Sequence, residues 1–273
     1  MTAWTFEPER GQHRRQLDNM GETGEEMKNG VICGSGKSAG ENSACARNIS
    51  LDALRVLCMF LIVFGHAMVH AHILPGCDHG SSSVAMSLKQ IDMAKAAGIK
   101  TICATPHFYP HKESVASFIT RRNQTAGSLW GQIPEDAPRI LLGAEVLICD
   151  GMERLNGLRE LCLEGTNELL LEMPFYRWPE SIWDTLYRLN DLHEIRIVIA
   201  HADRYPPEAI HQLISEGIPL QLNAECLRKY SHRKRYLEWI QKGYVSYLGS
   251  DIHELGPGYY DFDKCRKLLC HYF

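Results

Sequence analysis

Downstream of Ile73 the chain alternates between two hydrophobic periods. Val84, Leu88, Ile91, Met93 and Ala94 fall mostly on one face at helical spacing, and a turn at Gly98 follows. Lys100–His107 (KTICATPH) then runs apolar like a buried strand and ends in Pro and His. The rhythm repeats. Strands are predicted at RILLGAEVLI, NELLLEMPF, IRIVIAHADRY, PLQLNAE and VSYLGSDIHE. Amphipathic helices are predicted from Ser181 to Leu192, from Pro207 to Gly217 and from Arg233 to Gly243. Repeated βα units of this length predict an α/β fold whose parallel sheet closes as a barrel. In such barrels the chemistry sits at the carboxyl ends of the strands.

The first part of the chain follows neither period. Residues 1–50 are polar and rich in Gly, Ser, Glu, Asn and Arg, which predicts a disordered tail unable to bury enough apolar surface to offset its ordering entropy. GSGKS (Gly34–Ser38) lies within it, but Val31 stands where a phosphate-binding loop needs its first glycine. No strand precedes it and no helix follows, so it reads as a flexible linker. Leu51–Val69 is the most apolar stretch. Its uncharged part, Val56–Val69, is shorter than the about 20 residues that span a bilayer core. A membrane span, a buried or interfacial helix, and a helix that turns into a strand before His70 all fit it.

Composition changes this picture little. A net charge of -4 gives no basic face for nucleic acid. The 10 cysteines are scattered without a CxxC pair or a clean secretory signal, which points to reduced thiols and a cytoplasmic protein, with membrane association open through 51–69.

The informative residues end the predicted strands. His70 and His72 close the first, and a strand's two-residue period puts them on one face. Asp78 and His79 follow the Pro75-Gly76 turn. Later strands end at His107, Glu145, Glu172, His201, and Asp251 with His253. Each alone reads as a capping acid, a satisfied core histidine or a solvated glutamate. Together around one barrel mouth they would be too costly to bury without cations. Mixed imidazole and carboxylate donors suit Zn, Mn or Fe, and the count suffices for two or three ions.

HAHILPGCDHG, ICATPHFYP, LGAEV, LLLEMPF, VIAHADRY, LQLNAE and SDIHE resemble the successive motifs of the PHP (polymerase and histidinol phosphatase) superfamily. Within it they are most similar to the CpsB/CapC-type manganese-dependent protein-tyrosine phosphatases of capsule and exopolysaccharide operons. The resemblance runs from about His70 to the C-terminus. It implies a distorted (β/α)7 TIM-like barrel over 70–273, preceded by the disordered tail at 1–50 and an apolar helix at 51–69. It also implies two or three Mn2+ ions, with Fe or Zn as substitutes. His70, His72, Glu145 and Asp251 would hold the first ion. Glu145 would bridge to a second on Glu172 and His201. His107, His253 and His79 would hold the third, His79 standing where the family usually has Asp. Arg204 matches an arginine that holds the substrate phosphate, and Asn223 lies near the site as a further substrate contact. His201, Arg204 and Asp251 are the implied catalytic group.

The implied activity is phosphomonoester hydrolysis, on a phosphotyrosine protein such as a bacterial tyrosine autokinase, without a cysteine nucleophile. A histidinol-phosphatase-like esterase and a catalytically impaired metal-binding module are the alternatives, and homo-oligomerisation is open. Four departures bear on them. Met68 replaces an aspartate of the family pattern. A second phosphate-contacting arginine is missing from ELGPGYY, with Arg266 or Arg121 and Arg122 as the candidates to replace it. The chain stops at Phe273, where the family's last helix would still run. Finally, RNISLDALRVLCMFLIVFGHAMVH (residues 47–70) resembles instead the opening transmembrane segment of the type 3 membrane acyltransferases.

Overall fold

The computed structural model describes residues 67–175 and 177–272, so the predicted tail and the apolar stretch before Ala67 lie outside the described residues. Nine strands form one sheet, every pairing in it parallel. They are β1 (Ala67–Ala71), β2 (Thr101–Ala104), β3 (His107–Phe108), β4 (Arg139–Leu142), β5 (Glu145–Leu147), β6 (Glu168–Glu172), β7 (Arg196–Ile199), β8 (Leu220–Asn223) and β9 (Val245–Ile252). The order is β3-β5-β6-β7-β8-β9-β1-β2-β4. Helices α1 (Val84–Ala96), α2 (Val115–Trp130), α3 (Glu180–Asn190), α4 (Pro207–Ser215), α5 (Tyr230–Gln241) and α6 (Gly258–Tyr272) follow or separate the strands. This is the expected α/β alternation. The helices α2 and α6 add to the elements predicted above.

The two strands that end the pairing order lie on neighbouring segments of chain. Thr105-Pro106 interrupts one segment between β2 and β3, and Gly143-Ala144 interrupts the other between β4 and β5. The interrupted segments stay hydrogen-bonded across the break, Gly143 N donating to Ala104 O (2.9 Å) and Glu145 N to Pro106 O (3.1 Å). The kinks re-aim His107 and Glu145, the first residues after each break.

Both faces of the sheet are covered, as the continuous apolar runs require. Leu169, Leu171, Ile197 and Ile199 point outward into the main core with residues of α1 to α6. Leu170, Val198 and Ala200 point the other way and meet Tyr247 inside the curl of the sheet. Helix starts are local and readable: Ser83 caps α1 by accepting from Met86 N (3.2 Å), and Ser114 caps α2 by accepting from Ser117 N (3.2 Å). Gly217 (φ 71°) and Gly243 (φ 71°) end α4 and α5 in the left-handed conformation that glycine adopts without strain.

The loop after β1 is drawn tightly onto the sheet. Ser81 N donates to His72 O (3.0 Å), and Gly76 N to Ser81 O (2.7 Å). A Cβ on Gly80 would lie 2.4 Å from both Cβ and O of His72. The substitution Gly80→Ala is therefore expected to cost about 1–3 kcal/mol through overpacking, read as a lowered urea midpoint at unchanged m-value.

Candidate metal centre

Six of the seven chain segments that carry strands deliver a charged or imidazole side chain to one point at the carboxyl end of the sheet. His70 leaves β1 with φ 80°, His201 follows β7 with φ 48°, and Asp251 lies in β9 with φ 50°. These are the three non-glycine residues with positive φ among the described residues, and each such conformation costs about 1–3 kcal/mol unless its surroundings impose it. The strain is confined to the cluster.

Four side chains meet there. His70 Nε2 lies 3.2 Å from His72 Nε2, 3.1 Å from Glu145 Oε2 and 3.4 Å from Asp251 Oδ1. His72 Nε2 lies 3.3 Å from both of those oxygens. Ligands bound about 2.0–2.2 Å from one ion in a tetrahedron are about 3.3–3.6 Å apart, close to these separations. His107 Nδ1 approaches the same Glu145 Oε2 at 3.0 Å, and His201 Nε2 approaches Glu145 Oε1 at 2.5 Å.

Several of these close atoms are not in hydrogen-bonding geometry. Glu145 Oε2, Asp251 Oδ1, His107 Nδ1 and His253 Nε2 are buried and have no hydrogen-bond partner. They pack as fellow ligands around common points would, and a shared cation is what satisfies such orphans. The donor set thus fits divalent metal. Three groups of donors come within 4.8 Å internally: His70, Glu145, His201 and Asp251; His72, His107 and His253; and His107, Glu145 and Glu172. Glu145 and His107 each belong to two of them.

The arrangement gathers the sequence candidates unevenly. Glu172 joins at its edge, with Oε2 3.8 Å from His107 Nδ1. His79 is exposed and belongs to none of the three groups, but its ring stacks 4.6 Å from that of His107 and 4.4 Å from that of His253. Arg204 donates from Nη2 to Asp251 Oδ2 (2.6 Å) at the mouth. Asn223 lies deeper: it is fully buried, with Nδ2 3.4 Å from His201 Nδ1, on the side of the ring away from Glu145. The three arginines offered for the missing second one already have partners. Arg121 holds Cys77 O and Glu113, Arg122 donates to Gly143 O (3.0 Å), and Arg266 pairs with Asp263 (2.8 Å).

Two residues act by positioning: Asp78, noted in the sequence without this role, and Gln221, which was not among the sequence candidates. Asp78 Oδ2 accepts from His72 Nδ1 (2.7 Å) and from His107 N (3.0 Å), while its Oδ1 accepts from Gly80 N (2.9 Å). That fixes the His72 tautomer with Nε2 turned to the centre. Gln221 Oε1 accepts from His70 Nδ1 (3.3 Å) and His201 N (2.9 Å), and its Nε2 donates to Asn223 Oδ1 (3.0 Å). One amide thereby orients the His70 ring and anchors the backbone of His201.

Crowding sets the charge states. Burial pushes the Glu145 carboxyl up, but the charge of His70, with the close approach of His107, His201 and His70, outweighs it and holds it well below the usual range. Burial pulls His72 down, and Asp251, Asp78 and Glu145 more than reverse that. Burial and the neighbouring charge of Glu145 push Glu172 up to about 7. Burial and the charge of His72 take His253 down to about 4.

The family described as capsular polysaccharide synthesis, CpsB/CapC, has a profile that matches residues 67–272. Its start coincides with that of β1, and nothing in it supports the acyltransferase resemblance of the preceding segment. The chain is 29% identical over 199 residues to the tyrosine-protein phosphatase YwqE of Bacillus subtilis, covering 68% of this chain and 77% of YwqE. It is 23% identical over 221 residues to the tyrosine-protein phosphatase CpsB of Streptococcus agalactiae, covering 75% and 90%. Among solved structures, one from a study of YwqE and of Streptococcus pneumoniae CpsB, described as unique metal-dependent tyrosine phosphatases, matches with TM-score 0.62 at 23% identity. The match covers 76% of this chain and 86% of that one, and it shows a shared fold.

Because Glu172 holds its proton more tightly when folded, its contribution to metal-free stability is full below 4.5 and is lost as pH rises through about 7. Metal-free wild type is therefore expected to lose melting temperature across that window relative to Glu172→Gln, measured by thermal denaturation in chelator.

Proposed function

The chain belongs to the CpsB/CapC family, and from that membership and the geometry of the cluster we propose that it is a metal-dependent protein-tyrosine phosphatase. The observation that carries the reading is the close set of His70, His72, Glu145 and Asp251, spaced as ligands of one ion. Two or three ions are proposed, of Mn2+ or alternatively Fe or Zn, with Glu145 shared between two of them. His70, His72 and Asp251 complete the first site. Glu172 and His201 serve the second. His107 and His253, with His79 above them, serve the third. In support of the barrel expected from the resemblance, the nine strand pieces lie on seven chain segments, and the terminal segments pair with each other.

Bound ions would supply the electrophilic charge and the activated water that phosphomonoester hydrolysis requires. The protein's own part is positioning. Asp78 and Gln221 hold the rings of His72 and His70 in one tautomer and orientation, and also anchor the backbone of His107 and His201. Arg204, now on Asp251, is the cationic group at the mouth that meets the phosphate oxygens and offsets the charge they gain. The cluster contains no cysteine. The proposed substrate is a phosphotyrosine protein, of which a bacterial tyrosine kinase in capsule or exopolysaccharide synthesis is the leading case. No helix among the described residues is long and apolar enough to cross a membrane.

Mn2+-loaded protein is expected to hydrolyse para-nitrophenyl phosphate and phosphotyrosine peptides, and to prefer the peptides over histidinol phosphate. His201→Ala should lower kcat by at least about a hundredfold. Arg204→Ala should lower kcat/KM by about tenfold to a hundredfold. Two or more bound ions by elemental analysis without turnover of any ester would instead identify a metal-binding module.

A further inference from the structure

Beside the metal centre runs a groove of about 800 Å³ whose lining includes Phe175, Trp178, Trp183 and Tyr187. It connects to the centre through rings in sequence. Phe175, which is 62% exposed, has its ring 6.5 Å from that of His201 and 6.0 Å from that of Tyr205. Tyr205 meets Trp178 edge-on at 5.3 Å, Trp178 meets Trp183 at 5.0 Å, and Trp183 stacks on Tyr187 at 6.0 Å.

Three of the five rings are held by hydrogen bonds. Trp178 Nε1 donates to Pro174 O (2.6 Å), Tyr205 Oη accepts from Met173 N (3.0 Å), and Tyr187 Oη accepts from Gln212 Nε2 (2.7 Å). A fixed aromatic row that begins at an active centre is a preorganised contact surface, not a loose edge of the core. Its net charge is negative. Glu180, Asp184 and Glu208 line it against Arg177, and none of the three carboxylates forms an ion pair with a described residue.

We infer that this groove docks the peptide flanking the phosphotyrosine, and selects segments that place a basic residue together with an apolar or aromatic one along it. The inference rests on the function proposed above. A phosphate needs only the centre and Arg204. A groove starting at Phe175 is reached by residues about two to four positions away, at about 3.3–3.6 Å per residue of extended chain. Acidic walls repel acidic flanks and attract basic ones, while the rings offer contact area at little entropic cost.

The test compares three phosphotyrosine peptides of equal length, with basic, neutral or acidic flanks, alongside para-nitrophenyl phosphate on the Mn2+-loaded full chain. The basic peptide should have kcat/KM about tenfold above the acidic one, the difference lying in KM. Trp183→Ala should raise KM for all three peptides. Paired Asp184→Lys and Glu208→Lys should reverse the preference, with turnover of para-nitrophenyl phosphate unchanged in both variants. Because Asp184 and Glu208 are exposed, the charge variants remain informative if the tryptophan variant fails to fold. Equal kcat/KM across the peptides, or a preference untouched by charge reversal, would overturn the inference while leaving the phosphatase reading intact. Variants that lower the mass by light scattering without changing the preference would also overturn it, because the groove would then belong to a second copy of the chain. Failure of wild type to hydrolyse even para-nitrophenyl phosphate would defeat the phosphatase reading, and the inference with it.

Discussion

One buried carboxylate organises this protein. Glu145 has no solvent exposure and lies within 3.3 Å of ring nitrogens from His70, His72, His107 and His201. An anion in that position is tolerable only if positive charge surrounds it, and the fold supplies that charge from three separate chain segments. The sheet must curl far enough to bring those segments to one point. The break at Gly143-Ala144 starts a new strand at Glu145, and the break at Thr105-Pro106 starts one at His107. Asp78 and Gln221 then hold the His72 and His70 rings against rotation.

Much of this could be read from the sequence because strand ends in a parallel barrel share a fate. His107, Glu145, Glu172, His201 and Asp251 each close an apolar run, and the structure gathers all five. His70 and His72 also converge, but by a different route from the one their spacing suggests. A regular strand would pair them through its two-residue period. Here the register shifts between Val69 and Ala71, His70 turns left-handed, and β1 ends before His72. The spacing was informative although its geometric reason was not the operative one.

The misses have physical causes too. Helix α2 buries Val115, Phe118, Arg122, Ala126 and Leu129, so an arginine interrupts its apolar face and hides the period. Arg122 belongs there because it donates to Gly143 O, at the break ahead of Glu145. Gln221 alternates with leucines in β8 and reads as an ordinary polar strand position, yet it is fully buried behind the histidines, beside Asn223, which the resemblance had offered as a substrate contact. Asp78 was visible after the Pro-Gly turn, but nothing in the sequence showed that it would hold His72 rather than a metal. Residues that orient other residues leave weak sequence signals, because their partners are distant in the chain and amides and turn acids are common everywhere.

The three left-handed residues have a consequence for the life of the molecule. His70, His201 and Asp251 hold a strained backbone in the native state, and ligands that bind that state alone stabilise it by mass action. If the cluster binds ions as proposed, metal supply governs how often the chain opens and therefore how fast proteases remove it. Scarcity would then act on the abundance of the protein, through its turnover, as well as on the rate of each molecule.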